Sequence, residues 1–164
     1  MTYTNSSDNP SGSPRTISFQ VDDGSAANHA SNVATATVSV TPVNDAPVNT
    51  VPTTQLTTSN TNIIFSSANG NAISISDVDA SGGTEHVTLT VLDGTLTLAA
   101  TAGLTGVTGN GTSSISFTST LTNINSDLNG LVYHPTPTTF GGADTLSITT
   151  NDQGNSGTLV RRAR

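Results

Sequence analysis

Ten aspartates and a single glutamate, Glu85, are the groups in this 164-residue chain best suited to chemistry, and they are unevenly placed. Asp22 and Asp23 stand together, and Asp45 follows Asn44. Asp77 and Asp79 form a D-x-D pair, and Asp144 and Asp152 bracket an alternating stretch near the end. Short carboxylate side chains at strand ends and in turns suit Ca²⁺, which takes about six to eight oxygen ligands. The same residue types also build turns through their own side-chain hydrogen bonds, so a structural reading stands beside the metal one.

Other chemistry is poorly supported. The run Asp77-x-Asp79-x-Ser81-Gly82 imitates the opening of an EF-hand loop, but its twelfth position is Thr88, where that loop needs a bidentate Glu. His29, His86 and His134 are scattered, with no spacing for a transition metal. No G-x-S-x-G elbow, phosphate loop or dinucleotide fingerprint occurs, and none of the histidines is placed by sequence as a base for a serine. Glu85 and Asp93 could pair as glycosidase carboxylates, but Asp93 is better explained by a turn with Gly94. The expectation is a protein that is not an enzyme, with no catalytic residues and no organic cofactor. Tyr3, Tyr133 and Phe140 are the aromatics considered for sugar contact. The tyrosines occupy equivalent places in a repeat, which favours packing.

Composition narrows the partners. The net charge is -7 and the four cations are Arg15, Arg161, Arg162 and Arg164, so there is no basic stripe for nucleic acid or an anionic membrane. No apolar run approaches the ~20 residues of a membrane-spanning helix. Without Cys there are no disulfides or thiolate metal sites; without Lys there is no Schiff base and no Lys–Asn isopeptide crosslink. Thr, Ser and Asn fill 68 of the 164 positions, and Thr favours strands while Ser and Asn favour turns. The composition therefore points to an all-β chain.

The elements that must position the acids follow from the period-two pattern. Residues 16–21, 33–41, 62–65, 72–76, 114–119, 131–134 and 144–150 read as strands. Residues 86–100 read as a hairpin turning at Asp93-Gly94. The segment 121–131 reads as a short helix closed by Asn129-Gly130, with Ile124, Leu128 and Leu131 at helical spacing. The 103–111 stretch reads as a Gly-rich loop. The expected core is Ile63, Phe65, Ile73, Ile75, Val87, Leu89, Leu96, Leu98, Ile115, Phe117, Leu128, Tyr133, Leu146 and Ile148.

An internal repeat organises the chain. TISFQVDDGS (16–25) matches TLSITTNDQG (145–154), with Thr16/Thr145, Ser18/Ser147 and Asp23/Asp152 identical and Tyr3/Tyr133 upstream. The pieces TPVNDAPV (41–48), ISISDVDASGG (73–83), LTNINSDLNGLVY (121–133) and GGADTLSITTNDQG (141–154) together resemble the cadherin-like, Ig-like repeats of giant bacterial surface proteins, the RTX-type adhesins.

That resemblance implies an antiparallel Greek-key β-sandwich at 44–159. Terminal strands of a preceding repeat and a linker would occupy 1–43, and a tail 160–164. It also implies an extracellular, cell-surface setting, an adhesive or spacer role, and Ca²⁺ at the junction between repeats. By the same resemblance the metal-ligating residues are Asn44, Asp45, Asp77, Asp79 and Asp152. Related repeats carry an acidic stretch early in the domain, where this chain has Thr58-Ser59-Asn60-Thr61, which implies a smaller ligand set. The expected partners are neighbouring repeats or other copies of the chain, with a cell-surface or glycan ligand, and neither nucleic acid nor membrane insertion. A second expectation is a filament subunit joined by strand complementation, because 33–41 supplies a last strand for which GTLVRRAR (157–164) is the unfinished counterpart. A third is a carbohydrate-binding sandwich.

Overall fold

Alternation of apolar and hydroxyl side chains decides the architecture. The computed structural model describes residues 2–27, 30–136 and 142–154; His29, Phe140, the expected last strand at 157–164 and the tail at 160–164 lie outside the described residues. In chain order the strands are β1 Arg15–Phe19, β2 Ala34–Val38, β3 Val48–Thr50, β4 Ile63–Phe65, β5 Ser74–Ser76 and β6 Thr84–Thr90. They continue with β7 Thr95–Thr97, β8 Thr105–Thr108, β9 Ser114–Thr120, then helix α1 Leu121–Leu128, β10 Leu131–His134 and β11 Ser147–Asn151.

The fold is an all-β antiparallel sandwich. One sheet runs β11-β6-β9-β8, the other β4-β10-β7, with a small β3-β5 sheet beside them and β1-β2 as a separate hairpin. In the four-stranded sheet Val87, Leu89, Ile115 and Phe117 turn inward, each 0% exposed. From the facing sheet, Tyr133 stands between Ile63 and Leu96, and Leu131 beside Phe65. Burying a core of this kind stabilises by about 1.5–3 kcal/mol per large side chain. The other face of the same strands is hydroxyl-rich. His86, Thr88 and Thr90 lie between Thr118, Ser116 and Ser114 on one side and Asn151, Thr149 and Ser147 on the other. Much of the Thr and Ser excess is this outer face.

The core expected from sequence is closely matched. Ile63, Leu146 and Ile148 are only partly buried against it, and Val91, Ile124 and Leu131 join it. The helix is where the spacing placed it. It is mortised to the sheet by Asn125, whose side chain accepts from the Ile75 N–H at 2.8 Å and donates to the Ile75 carbonyl at 2.9 Å. Two strands went unread: β3, short and directly after Pro47, and β8, hidden in the Gly-rich stretch.

One expectation is overturned. β6 and β7 do not form a hairpin; they lie in different sheets, β6 against β9 and β11, β7 against β10. The backbone groups a hairpin would pair are taken elsewhere. Val91 N–H donates to the Ser113 carbonyl at 2.9 Å and Leu96 N–H to the Thr112 carbonyl at 2.8 Å. Leu92 and Asp93 N–H donate to Asp144 at 2.9 and 3.1 Å. The Tyr133 hydroxyl lies 2.6 Å from the Asp93 carbonyl and 2.8 Å from Asp144 Oδ2. Gly94 crosses over this knot at φ +144°, where a Cβ would meet the His134 carbonyl at 2.5 Å and the Tyr133 ring at 2.7 Å. Tertiary acceptors outweigh the local turn signal.

Asp144 therefore fastens the crossing between the sheets, also accepting the Thr145 N–H at 2.7 Å. Burial acts to raise its carboxyl, but the Leu92 N–H, the Tyr133 hydroxyl and the Asp93 and Thr145 N–H groups outweigh burial and hold it below the usual carboxylate range. Its stabilisation is thus present above the ordinary carboxylate pKa and is lost as pH falls through the lowered value. Asp144→Ala is expected to destabilise by about 2–3 kcal/mol in denaturant titration at neutral pH, since charge-assisted hydrogen bonds are lost. That difference shrinks on acidification below pH ~4.

Candidate metal centre

The acids singled out by spacing are carried to one end of the sandwich by three separate elements. The linker after β2 brings Asn44 and Asp45, the turn after β5 brings Asp77 and Asp79, and the end of β11 brings Asp152. The linker is extended because Pro42 and Pro47 punctuate it. The D-x-D turn closes through Ser81 and Gly82, both at positive φ, with Gly83 N–H on the Ala80 carbonyl at 2.6 Å.

Direct contacts join them. Asn44 Nδ2 donates to Asp152 Oδ2. The Asp45 backbone N–H donates to Asp79 Oδ2 at 3.0 Å, and the Asp79 N–H to Asp77 Oδ1 at 3.1 Å. Asp152 Oδ1 accepts from the Gly154 N–H at 3.0 Å. Asp79 and Asp152 are buried, at 1% and 8% exposure, Asp77 and Asn44 are half-buried, and the Asp45 side chain is exposed. Asp45 thus meets the cluster through its backbone, and with Asp77 it lines a groove of about 330 Å³ that also includes Ala46, Val48, Ser76 and Val78.

Charge is crowded here. Burial first, then side-chain contact with Asp79 and the charges of Asp79 and Asp152, push the Asp77 carboxyl up; the Asp79 N–H offsets this only in part. Asp77 Oδ2 is fully buried and meets no hydrogen-bond donor among the described residues. An oxygen so placed is costly unless something positive approaches it. Oxygen donors together with that orphaned atom fit a hard divalent cation such as Ca²⁺. As they stand, however, no three carboxylate or imidazole side chains among the described residues form a group that could hold a metal ion. N–H donors occupy several of the acid oxygens instead.

Two further residues belong to this end of the molecule. Asn9, upstream of β1, donates from Nδ2 to Ser81 Oγ and approaches the Asp79 carbonyl at 3.5 Å, bringing the N-terminal segment onto the D-x-D turn. It lacks any sequence signal beyond being one Asn among 16. Glu85 on β6 is 0% exposed. Its ladder neighbour on β9 is Ser119, and the Gln153 side chain, just past β11, donates from Nε2 to the Thr84 carbonyl at 3.2 Å. A lone Glu at an inward position of an alternating strand was the available signal.

Other sequence candidates are placed elsewhere. Asp23 closes its own turn on the Ser25 N–H at 3.0 Å, the counterpart of Asp152 with Gly154, but it is exposed. Asp93 and Asp144 belong to the Tyr133 knot. His86 touches Thr118 Oγ1 at 3.0 Å through Nδ1 and Ser116 Oγ at 3.2 Å through Nε2, a serine–histidine contact that spacing missed. It lies on the outer sheet face, backed by a threonine rather than a carboxylate. Tyr133 is 6% exposed with its hydroxyl engaged, while Tyr3 is 40% exposed beneath the Arg15 guanidinium. Comparison with protein-family models, curated proteins and solved structures finds no match for this chain.

Because Asp77 carries a disfavoured charge beside two others, Asp77→Asn is expected to raise the melting temperature in EDTA. The rise should be about 2–4 °C, as ~1 kcal/mol produces in a domain of this size. A fall instead would mean that the carboxylate is already compensated.

Proposed function

We propose that the chain is a structural and adhesive repeat module of an extracellular, cadherin-like array, stiffened by Ca²⁺ at the seam between successive units. The observation that carries this reading is the convergence of the linker, the D-x-D turn and Asp152 on one end of the sandwich, through contacts 34 and 108 residues apart in sequence. Asp77, Asp79 and Asp152 are the residues that would have to draw together to hold the ion, with Asn44 and Asp45 supplying the linker side. A bound divalent cation supplies the positive charge that crowded carboxylates lack.

The chain's own residues explain why such a seam would stiffen. β1-β2 is a two-stranded sheet with Phe19, Val21 and Val33 exposed at 38%, 69% and 55%. A hairpin of that kind has little stability alone. Asn9, Asn44 and Asp45 link the segments flanking this hairpin to the acids of the sandwich. Orientation between the two parts therefore depends on how the acids are neutralised, and mutual repulsion of Asp77, Asp79 and Asp152 favours opening. The expected result is a rise of several degrees in melting temperature on titrating Ca²⁺ to millimolar concentration, erased by Asp79→Asn. An unchanged melting curve would leave a plain spacer.

A second reading, a filament subunit joined strand to strand, is favoured by β11, which stands at the edge of its sheet, and by the exposed apolar residues on β1-β2. Sheet edges are templates for pairing with another chain. Negative-stain electron microscopy of the purified chain separates the two: uniform filaments support assembly, and dispersed single particles remove it.

A further inference from the structure

We propose that β2 of one copy of the chain is a donor strand for β11 of another, leaving β1 to fill the open side of the neighbouring sandwich. This rests on the strand-to-strand reading above and deepens it, by naming the partner strand, its register and the site that receives it.

The receiving site is an apolar cleft of about 540 Å³, lined from both sheets by Val51, Phe65, Ile73, Val91, Tyr133 and Leu146. It opens beside the start of β11, where Leu146 and Ile148 are only partly buried against the core. β3 attends the later half of that edge: Asn49 Nδ2 reaches the Ile148 carbonyl at 3.5 Å, and Thr150 Oγ1 donates to Asn49 Oδ1 at 2.7 Å. The earlier residues, 144–146, lie against the cleft instead.

The internal repeat identifies the strand that fits. β1 matches the stretch that opens β11, and β1 pairs with β2 in a fixed register, Thr16 with Thr37 and Ile17 with Ala36. Carried to the matching residues, that register sets Thr37 opposite Thr145, Ala36 opposite Leu146 and Val38 opposite Asp144. Directly opposed residues of an antiparallel pair share a face, so Ala36 and Val38 turn with Leu146 toward the cleft, and Val40 follows at the period of two. Small and β-branched apolar side chains suit a narrow cleft between sheets. Thr35 and Thr37 turn the other way and extend the hydroxyl-rich outer face.

The same equivalence makes β1 and β11 rivals for one edge of β2. Four of the five β2 residues are exposed in the hairpin with β1, and a two-stranded sheet is marginal alone. β11 offers a cleft that would bury the side chains β1 leaves in water. Within one chain, β11 runs from the cleft to the seam, where Asp45 is held by Asp79 and the linker departs, so β2 lies off the end remote from the cleft. The donor therefore comes from a second copy. Donor strand and receiving cleft are different surfaces, so the contact is head to tail and propagates.

The test uses the full chain, which has no cysteine of its own. Ser18→Cys with Thr35→Cys, directly opposed in the hairpin, locks β2 to β1 when oxidised and frees it when reduced. Sedimentation velocity and negative-stain microscopy are expected to show assembly of the wild type and of the reduced variant, and its loss in the oxidised variant. Mixing a Thr37→Cys chain with a Thr145→Cys chain is expected to give the 37–145 disulfide as the main crosslink on peptide mapping. Assembly that survives the lock, or that forms without that crosslink, overturns the donor strand and leaves the broader filament reading standing. A Thr145→Cys, Leu159→Cys chain that crosslinks within itself makes the chain's own 157–164 the occupant, and also overturns it. A wild type that stays monomeric overturns the filament reading and the donor strand together.

Discussion

A carboxylate taken out of water has to be met by something positive, and this chain has almost nothing positive to offer. It has no lysine, and Arg15, the one arginine among the described residues, is occupied with the Ser11 and Ser13 carbonyls and the Tyr3 ring. The fold answers with peptide N–H groups. Asp144 gathers three of them with a tyrosine hydroxyl; Asp152 and Asp79 are met by Gly154, Asn44 and Asp45. The same interaction therefore fixes the crossing between the two sheets and the end at which the linker arrives. Asp127 on α1 shows the other outcome: 5% exposed, with Oδ2 meeting no donor among the described residues, its carboxyl is pushed up by burial.

The internal repeat gives that interaction a functional sense. Asp23 and Asp152 sit at matching places and form the same side-chain turn, yet Asp152 is buried and met by Asn44 of the linker while Asp23 is exposed. What separates a turn-forming aspartate from a seam aspartate is the presence of the next segment overhead, not the residue or its local conformation. If the chain is a unit of an array, as proposed, such acids would recur at each junction, and the stiffness there would follow from what neutralises them.

Much of this was legible beforehand, for a physical reason. Strand periodicity at 84–90 and 114–120 is strict because one face is buried, and a shift by one residue would turn Val87, Leu89, Ile115 and Phe117 to solvent. Helical spacing of Ile124 and Leu128 was readable for the same reason. The D-x-D pair, the linker and Asp152 were readable as a set only through their resemblance to known repeats, since nothing local links residues 44, 79 and 152. Asn9 and Glu85 carried no comparable motif. Their relevance depends on which loop and which strand end they meet.

By itself, then, the sequence determined the class of fold, the buried face of each long strand, the helix and the scarcity of positive charge. These follow from composition and short-range periodicity, which act within a few residues. Tertiary structure decided the rest. It sent β6 and β7 into different sheets against a strong turn signal, because Asp144 and Tyr133 claim the backbone groups a hairpin would have used. It also chose which atoms of the linker face the acids, because donors and acceptors brought together over a hundred residues of chain settle their pairing only when the sheets have closed.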